Sequence, residues 1–340
     1  MIKFARVSKA YGDILAVDDL SFLVEKGKTT VLIGPSGCGK TTSLRMVNRM
    51  IEPTDGYVYV EDRPVKSFTA EELRRRIGYV IQSVGLLPHM SVRENIAIVP
   101  KLLKWSREDR YRRAEELLDF MGMDPEVYAN KRPHELSGGE AQRIGVARAL
   151  AADPPILLMD EPFGAVDPLN RESLQNEFIA LQAKLKKTVL FVTHDIDEAI
   201  KIADNIVLLR EGKLVQEDPP ERLLARPKNE FVENFVGDDR ALKRLACFSV
   251  KDYMRPTEEK REEKREGGSR RRGKVPPVST FTSVRDALSR ILGLGITSVP
   301  VLGDEGTLVG EIFLEDIEKL NQSGIDRYEL ESSSDRQELE

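Results

Sequence analysis

The sequence predicts an α/β protein, and three observations carry that prediction. Short apolar strands alternate with helical segments over most of the chain, which implies a sheet with crossover connections. "PILLMDEP" is a wholly apolar run that ends in acids, the pattern of a buried parallel strand. "GPSGCGKT", Gly34–Thr41, fits G-x-x-x-x-G-K-[ST] directly after another apolar strand.

The elements follow in order. Strands are expected at Ile2–Val7, Ser21–Val24, Thr29–Ile33 and Tyr57–Val60, and a helix from Lys40 to about Met50. Charged helical periodicity runs from Glu108 to Met121, and Gln142–Ala151 is a further helix. After "PILLMDEP" come helix Asn170–Leu185, strand Thr188–Thr193, helix Asp197–Ala203 and strand Asn205–Arg210. Residues 256–274, "PTEEKREEKREGGSRRRGK", hold no large apolar side chain and cannot bury a core. Beyond Val275 the pattern reads strand, helix, strand, turn, strand, helix, too short for a comfortable independent core. The expected division is 1–238 as the main domain and 239–274 as linker and charged insert, with a strand near 248–254. A small α+β region (275–322) and a polar tail (323–340) follow.

Composition narrows the class. The chain has 340 residues, 40% hydrophobic and 32% charged, which suits a globular protein of two domains. It contains no signal-peptide pattern and no apolar run long enough to span a bilayer, so it is expected to be made and kept in the cytoplasm. Cys38 and Cys247 are too few for a disulfide framework, and no Cys/His cluster has zinc spacing. A net charge of −5 gives no reason to expect nucleic acid as a partner.

The motif chemistry points to a nucleoside triphosphatase. Glycines at 34, 37 and 39 let backbone N–H groups turn inward around phosphate at the positive end of a helix. Pro35, Ser36 and Cys38 complete the loop, with Cys38 read as a tolerated small residue and not a redox group. Lys40 is expected on the β- and γ-phosphates, and Thr41 on Mg²⁺. Asp160, ending its strand, is expected to hold Mg²⁺ through water, with Glu161 beside it polarising the attacking water. "LSGGEAQRIGVARAL", residues 136–150, holds a second Ser-Gly-Gly run before a helix, and one chain has no evident need of two phosphate loops.

The P-loop, "LSGGE", "LLMDEPFGAVD" and "VTHD", in that order and spacing, resemble the ATPase subunits of ABC transporters from residue 1 to about 238. The resemblance implies an ABC ATPase domain: a mixed sheet core, an antiparallel β subdomain and a helical subdomain. It also accounts for the second run. In that family two such domains dimerise head to tail, each ATP lying between one chain's P-loop and the other's signature loop. Ser137, Gly138 and Gly139 would then meet the γ-phosphate held by the partner copy's Lys40. Thr42 falls beside the loop threonine. Tyr11 resembles the adenine-stacking aromatic, although a surface tyrosine on a sheet is the alternative. Gln82 resembles the glutamine that reports Mg-ATP, Asp167 the aspartate linking the two sites, and His194 the switch histidine on the γ-phosphate. Glu140 departs from the usual glutamine, which puts the rate in question.

"MVNRMIEPTDG", "VIQSVGLLPHMSVRENIAIVPKLLKW" and "FVTHDIDEAIKIAD" resemble the quaternary-amine importers, which carry glycine betaine, carnitine or choline. "VKDYM" and "SVRDALSRILGLGITSVPVLGDEGTLVGEIFLEDI" resemble a CBS repeat, single here where tandem pairs are usual. The resemblance implies a homodimer on the cytoplasmic face of the membrane, with two transmembrane permease subunits and a substrate-binding protein. Two regulatory readings stay open: docking of Arg270–Lys274 on anionic lipid at low salt, or a nucleotide ligand on the repeat. An inert linker is the plain alternative. Importers of an amino acid or sulfonate, and soluble ABC proteins without a permease, are the competing functions.

Overall fold

The computed structural model describes residues 1–81, 85–164, 166–256, 275–303 and 306–323, with the side chains of 168–170 and 321–323 excepted. Gln82, most of the charged insert and the tail after 323 lie outside the described residues. The chain divides into two compact units, Met1–Pro219 and Pro220–Glu340.

The first unit holds two sheets. Strands β1 (Ile2–Tyr11) and β2 (Ile14–Val24) form an antiparallel hairpin, joined by β4 (Asp55–Val60) and β5 (Arg63–Pro64) in the order β2-β1-β4-β5. The strands are longer than the sequence suggested because their exposed ends alternate or carry bulges and so lack a continuous apolar run. Gly56 lets β4 pass β1 closely: a Cβ there would lie 2.0 Å from the Arg6 carbonyl oxygen.

The second sheet is built from β3 (Thr29–Ile33), β6 (Ile77–Val80), β7 (Ile156–Asp160), β8 (Thr188–Val192), β9 (Asn205–Arg210) and β10 (Lys213–Asp218). Its order is β10-β9-β3-β8-β7-β6, with β10 antiparallel on the edge and the other five parallel. All five residues of β3, β7 and β8 are buried, as continuous apolar runs require when helices cover both faces. Between β6 and β7 the chain runs through helices at Val92–Ile96, Ile98–Leu102, Arg107–Phe120 and Gly138–Leu150. The first, third and fourth of these pack on one another as a helical subdomain. The helix after the P-loop ends at Val47 and not Met50, because Arg49 turns left-handed (φ 53°) and the Asn48 amide oxygen accepts from the Met50 N–H.

The second unit begins with helices Pro220–Ala225, Glu230–Val236 and Arg240–Leu245. Residues 220–238 group with this unit and not with the first; Arg244 bonds Glu221 at 3.3 Å, tying the first of these helices to the third. A four-stranded sheet follows, β11 (Arg255–Pro256), β12 (Val278–Ser279), β13 (Ser298–Leu302) and β14 (Leu308–Phe313), in the order β11-β14-β13-β12. Helix Val284–Leu294 crosses from β12 to the parallel β13 and ends at left-handed Gly295 (φ 62°), and helix Leu314–Ser323 follows β14. Val278, Val284, Ile291, Val299, Val301 and Ile312 form its core. The strand expected near 248–254 is not there. Ser249 instead caps a short helix, Val250–Tyr253, its hydroxyl accepting from the Lys251 N–H, and extended pairing starts only at Arg255.

Candidate functional site

The parallel sheet brings three loops to one edge. β8 lies between β3 and β7, and Leu32, Val192 and Asp160 share a row across them. The Thr193 N–H donates to the Leu32 carbonyl (3.2 Å) and the Glu161 N–H to the Val192 carbonyl (2.9 Å). The P-loop, the acidic pair and His194 therefore leave the sheet together at its carboxyl end, where open α/β sheets bind ligands.

The P-loop is shaped by what lies behind it. A Cβ on Gly34 would sit 2.1 Å from the Leu209 carbonyl oxygen, and one on Gly39 would sit 2.5 Å from that of Ala16. Both positions have left-handed φ, 147° and 101°. Pro35, Ser36 and Gly37 are exposed, while Cys38, Gly39 and Lys40 are buried. Thr41 and Thr42, which open the helix after the loop, are half-buried. The loop thus turns its exposed backbone outward and its lysine along its own floor. Lys40 Nζ donates to the Gly34 and Pro35 carbonyls at 2.7 and 3.0 Å, so it is already aimed along the loop that phosphates would occupy. Burial pushes the Cys38 thiol up, away from the thiolate form that redox chemistry needs.

Thr41 Oγ1 donates to Asp160 Oδ1 at 3.0 Å, joining two residues far apart in sequence. Tyr79 donates to the other carboxylate oxygen at 3.4 Å, and Arg45 approaches it at 3.9 Å. Burial pushes the Asp160 carboxyl above its ordinary range, while Thr41, Arg45 and Tyr79 pull it back. Hydroxyl and carboxylate oxygens side by side are the donor set that Mg²⁺ takes, so the residues fit that ion. Tyr79 and Arg45 were not singled out from the sequence; the pairing of β6 with β7 discloses Tyr79, and the packing of helix Lys40–Val47 beside Asp160 discloses Arg45.

Glu161 lies 3.2 Å from His194 Nδ1 through Oε2, and two-thirds of the His194 side chain (64%) stays accessible. Glu161 has a left-handed backbone (φ 47°), a cost tolerated only where the surroundings impose it. Asp167 is exposed, and its carbonyl accepts the Arg171 N–H at 3.0 Å as helix Pro168–Leu185 begins. Tyr11 is exposed at the end of β1, with the Lys9 ammonium 5.0 Å from its ring centre.

The Ser-Gly-Gly run opens its helix at Gly138, earlier than expected, because Ser137 caps it. Ser137 Oγ accepts from the Glu140 N–H (3.3 Å), and Glu140 Oε2 accepts from the Ser137 N–H (2.7 Å). Nothing lies within 4 Å of a Cβ built on Gly138, so the space beside the start of this helix is open. Tyr128 donates to Glu140 Oε1 at 2.7 Å, and that bond, with the Ser137 amide, holds the Glu140 carboxyl below its ordinary range. The glutamate at this departure from the family pattern thus has a structural use.

Glu198, buried on helix Ile196–Ile202, accepts from Gln175 Nε2 at 3.1 Å. Burial pushes its carboxyl above the ordinary value of 4.5, opposed by bonds from Thr193 and Gln175. A raised acid binds its proton more tightly when folded, so its stabilisation is complete below the unfolded value and lost as pH rises through the folded one. Glu198→Gln is therefore expected to flatten the fall of stability with pH above 4.5. Urea unfolding of both proteins across that range checks it; parallel profiles would exclude Glu198 as the titrating group.

A P-loop and a distant acidic pair meeting at the carboxyl edge of a parallel sheet define a nucleotide-binding P-loop fold, and residues 17–164 match the family model described as ABC transporter. The chain belongs to that family. It is 54% identical over 243 residues to the carnitine transport ATP-binding protein OpuCA of Listeria monocytogenes, covering 71% of this chain and 61% of that protein. It is 43% identical over 318 residues to the glycine betaine uptake system ATP-binding protein YehX of Escherichia coli, covering 93% of this chain and 99% of the relative. The chain thus spans less than two thirds of the OpuCA length but nearly all of YehX. The ATP-binding cassette MJ0796, solved as a dimer in a post-hydrolysis state with ADP and Pi, matches with TM-score 0.58 and 34% identity, over 64% of this chain and 98% of that one. Among the described residues, no helix is long and apolar enough to cross a membrane.

Proposed function

We propose that this chain is the ATP-hydrolysing subunit of an importer for a quaternary-amine osmoprotectant of the glycine betaine, carnitine or choline class. The observation that carries the chemistry is the contact of Glu161 with His194 beside the Thr41–Asp160 bond and the Lys40 loop. The similarity to OpuCA, a carnitine transport protein, and to YehX, of a glycine betaine uptake system, supports the cargo.

In this reading the loop from Gly34 to Thr42 wraps the phosphates, and Lys40 shifts from its carbonyl partners to the β- and γ-phosphates. Tyr11 stacks on the base. Thr41, Asp160 and Gln82 would hold Mg²⁺, which neutralises charge on the β- and γ-phosphates. Glu161 accepts a proton from water as the water oxygen bonds the γ-phosphorus. The bond to the β–γ bridging oxygen breaks, leaving ADP and phosphate. His194 holds Glu161 and faces the γ-phosphate. Ser137 Oγ accepts from Glu140, which leaves its O–H free to donate to a phosphate on a second copy. MJ0796 is solved as a dimer, which supports pairing of two copies; in this reading they pair head to tail, with Asp167 linking the two sites. Losing the γ-phosphate removes contacts that both copies share, and the dimer reopens. Two permease subunits on the cytoplasmic face of the membrane convert that cycle into import, fed by a binding protein. In the C-terminal unit, 275–322 is read as a single CBS-like repeat after the linker and insert at 239–274, regulated either by docking of Arg270–Lys274 on anionic lipid or by a nucleotide on the repeat.

The test is betaine-dependent growth in high salt of a strain stripped of its own importers, carrying this chain with its permease and binding protein. Growth with the wild type, lost with Glu161→Gln, is expected. ATP hydrolysis by the purified complex without betaine, carnitine or choline uptake would discard the cargo and keep the enzyme.

A further inference from the structure

Away from the nucleotide site, the first unit contains a cavity of about 390 Å³ between helices Arg107–Phe120, Gly138–Leu150 and Pro168–Leu185. That volume falls in the range of small-molecule sites, roughly 300–1,000 Å³. Its walls are apolar: Phe120, Val146, Phe163, Leu174, Phe178 and Leu181 line it. Phe163 and Phe178 pack edge to face there, ring centres 6.4 Å apart.

The polar groups are few, and most of them are donors. Gln142 lines the cavity at 2% exposure, and its buried Nε2 has no hydrogen-bond partner. An amide donor left this way keeps its full desolvation cost, so an acceptor inside the cavity would recover what the fold gives up. Arg143 Nε is a second buried donor without a partner. The Arg143 guanidinium bonds Glu177 at 2.6 Å, which balances both charges and leaves the Lys184 ammonium in excess among the lining residues. Spare donors and one surplus cation around an apolar interior select an anion with an apolar body.

We propose that this cavity binds a small amphiphilic carboxylate, its apolar body against Phe163 and Phe178 and its carboxylate accepting from Gln142 Nε2 and Lys184. The site is separate from the nucleotide-binding residues, and its occupancy does not depend on ATP hydrolysis or on the cargo. It touches two functional segments all the same. Gln142 is on the helix that Ser137 caps, and Phe163 follows Glu161 by two residues.

The experiment is calorimetric titration of the nucleotide-free full chain with decanoate below its micelle-forming concentration, with decylammonium as the charge-reversed control. Saturable binding of one decanoate per chain is expected, and none of the amine. Gln142→Leu replaces an unpaired buried amide by an apolar side chain of similar size, so it should fold at least as stably as the wild type. It is expected to weaken decanoate about 10- to 100-fold, the worth of a hydrogen bond to a charged group. Val146→Trp, which fills the cavity, is expected to abolish binding; should it unfold the chain, Leu174→Phe serves instead. No saturable binding, equal binding of the amine, or an unchanged affinity in Gln142→Leu would each overturn the proposal.

Discussion

Replacing Glu161 by Gln is expected to lower ATP turnover by about 10²- to 10⁴-fold while leaving ATP affinity within a few-fold of the wild type. The amide has the shape of the carboxylate but cannot take the proton of the attacking water. In the proposed reading nucleotide binding rests on other groups: the Lys40 ammonium, the loop N–H groups and the Thr41–Asp160 pair. The backbone of residue 161 is held by its N–H bond to Val192, so the left-handed turn survives the exchange. Phosphate release measures turnover, titration measures ATP affinity, and size-exclusion chromatography with ATP measures the dimer. ATP-dependent dimers should accumulate in the variant, because binding assembles them and hydrolysis no longer disperses them. Turnover within three-fold of the wild type would move the general base off Glu161.

Gly34→Ala is expected to be the most damaging single change in the P-loop. Its Cβ would meet the Leu209 carbonyl oxygen at 2.1 Å and Cys38 Sγ at 2.8 Å, and the first is backbone of strand β9, which cannot swing aside. The φ of 147° adds strain that glycine alone escapes. Backbone strain and overpacking together cost about 2–6 kcal/mol, or on the order of 10 °C in melting temperature for a unit of this size. Gly37→Ala is the control. It shares a left-handed φ of 79°, but nothing lies within 4 Å of its added methyl, so only the strain remains. Thermal unfolding of the two variants separates packing from strain. Equal losses would show that the approach of β9 is not what requires glycine at 34.

The two variants divide the phosphate loop from the acidic edge, and the same division runs through the sequence. The loop, the buried strands at 29–33, 156–160 and 188–192, and the helix after the signature run could be read from residues because each is a local pattern. Apolar runs and loop glycines exert their effect within a few residues of themselves, whereas the Ser137 cap, which starts its helix at Gly138, was not read. Legibility faded where the local cue was weak. The helix from Lys40 stops at Val47 through a left-handed Arg49, a residue with no turn propensity to betray it. Residues 248–254 look extended in sequence yet fold as a capped helical turn, since Ser249 satisfies its first donor.

By itself, then, the sequence determined an α/β protein with a phosphate loop, a buried strand ending in Asp160 and Glu161, and the motif order of its family. Tertiary structure alone decided which groups meet. Thr41 bonds Asp160 across 119 positions, Glu161 reaches His194 across 33, and Glu140 finds Tyr128. Placing β8 between β3 and β7 sets the first two of those encounters, and strand order is a property of the whole sheet that no short stretch encodes. The unpaired Gln142 belongs to the same category. Its spacing on the helix is that of an ordinary residue, and only the packing of three helices turns its amide toward a cavity with nothing to bond.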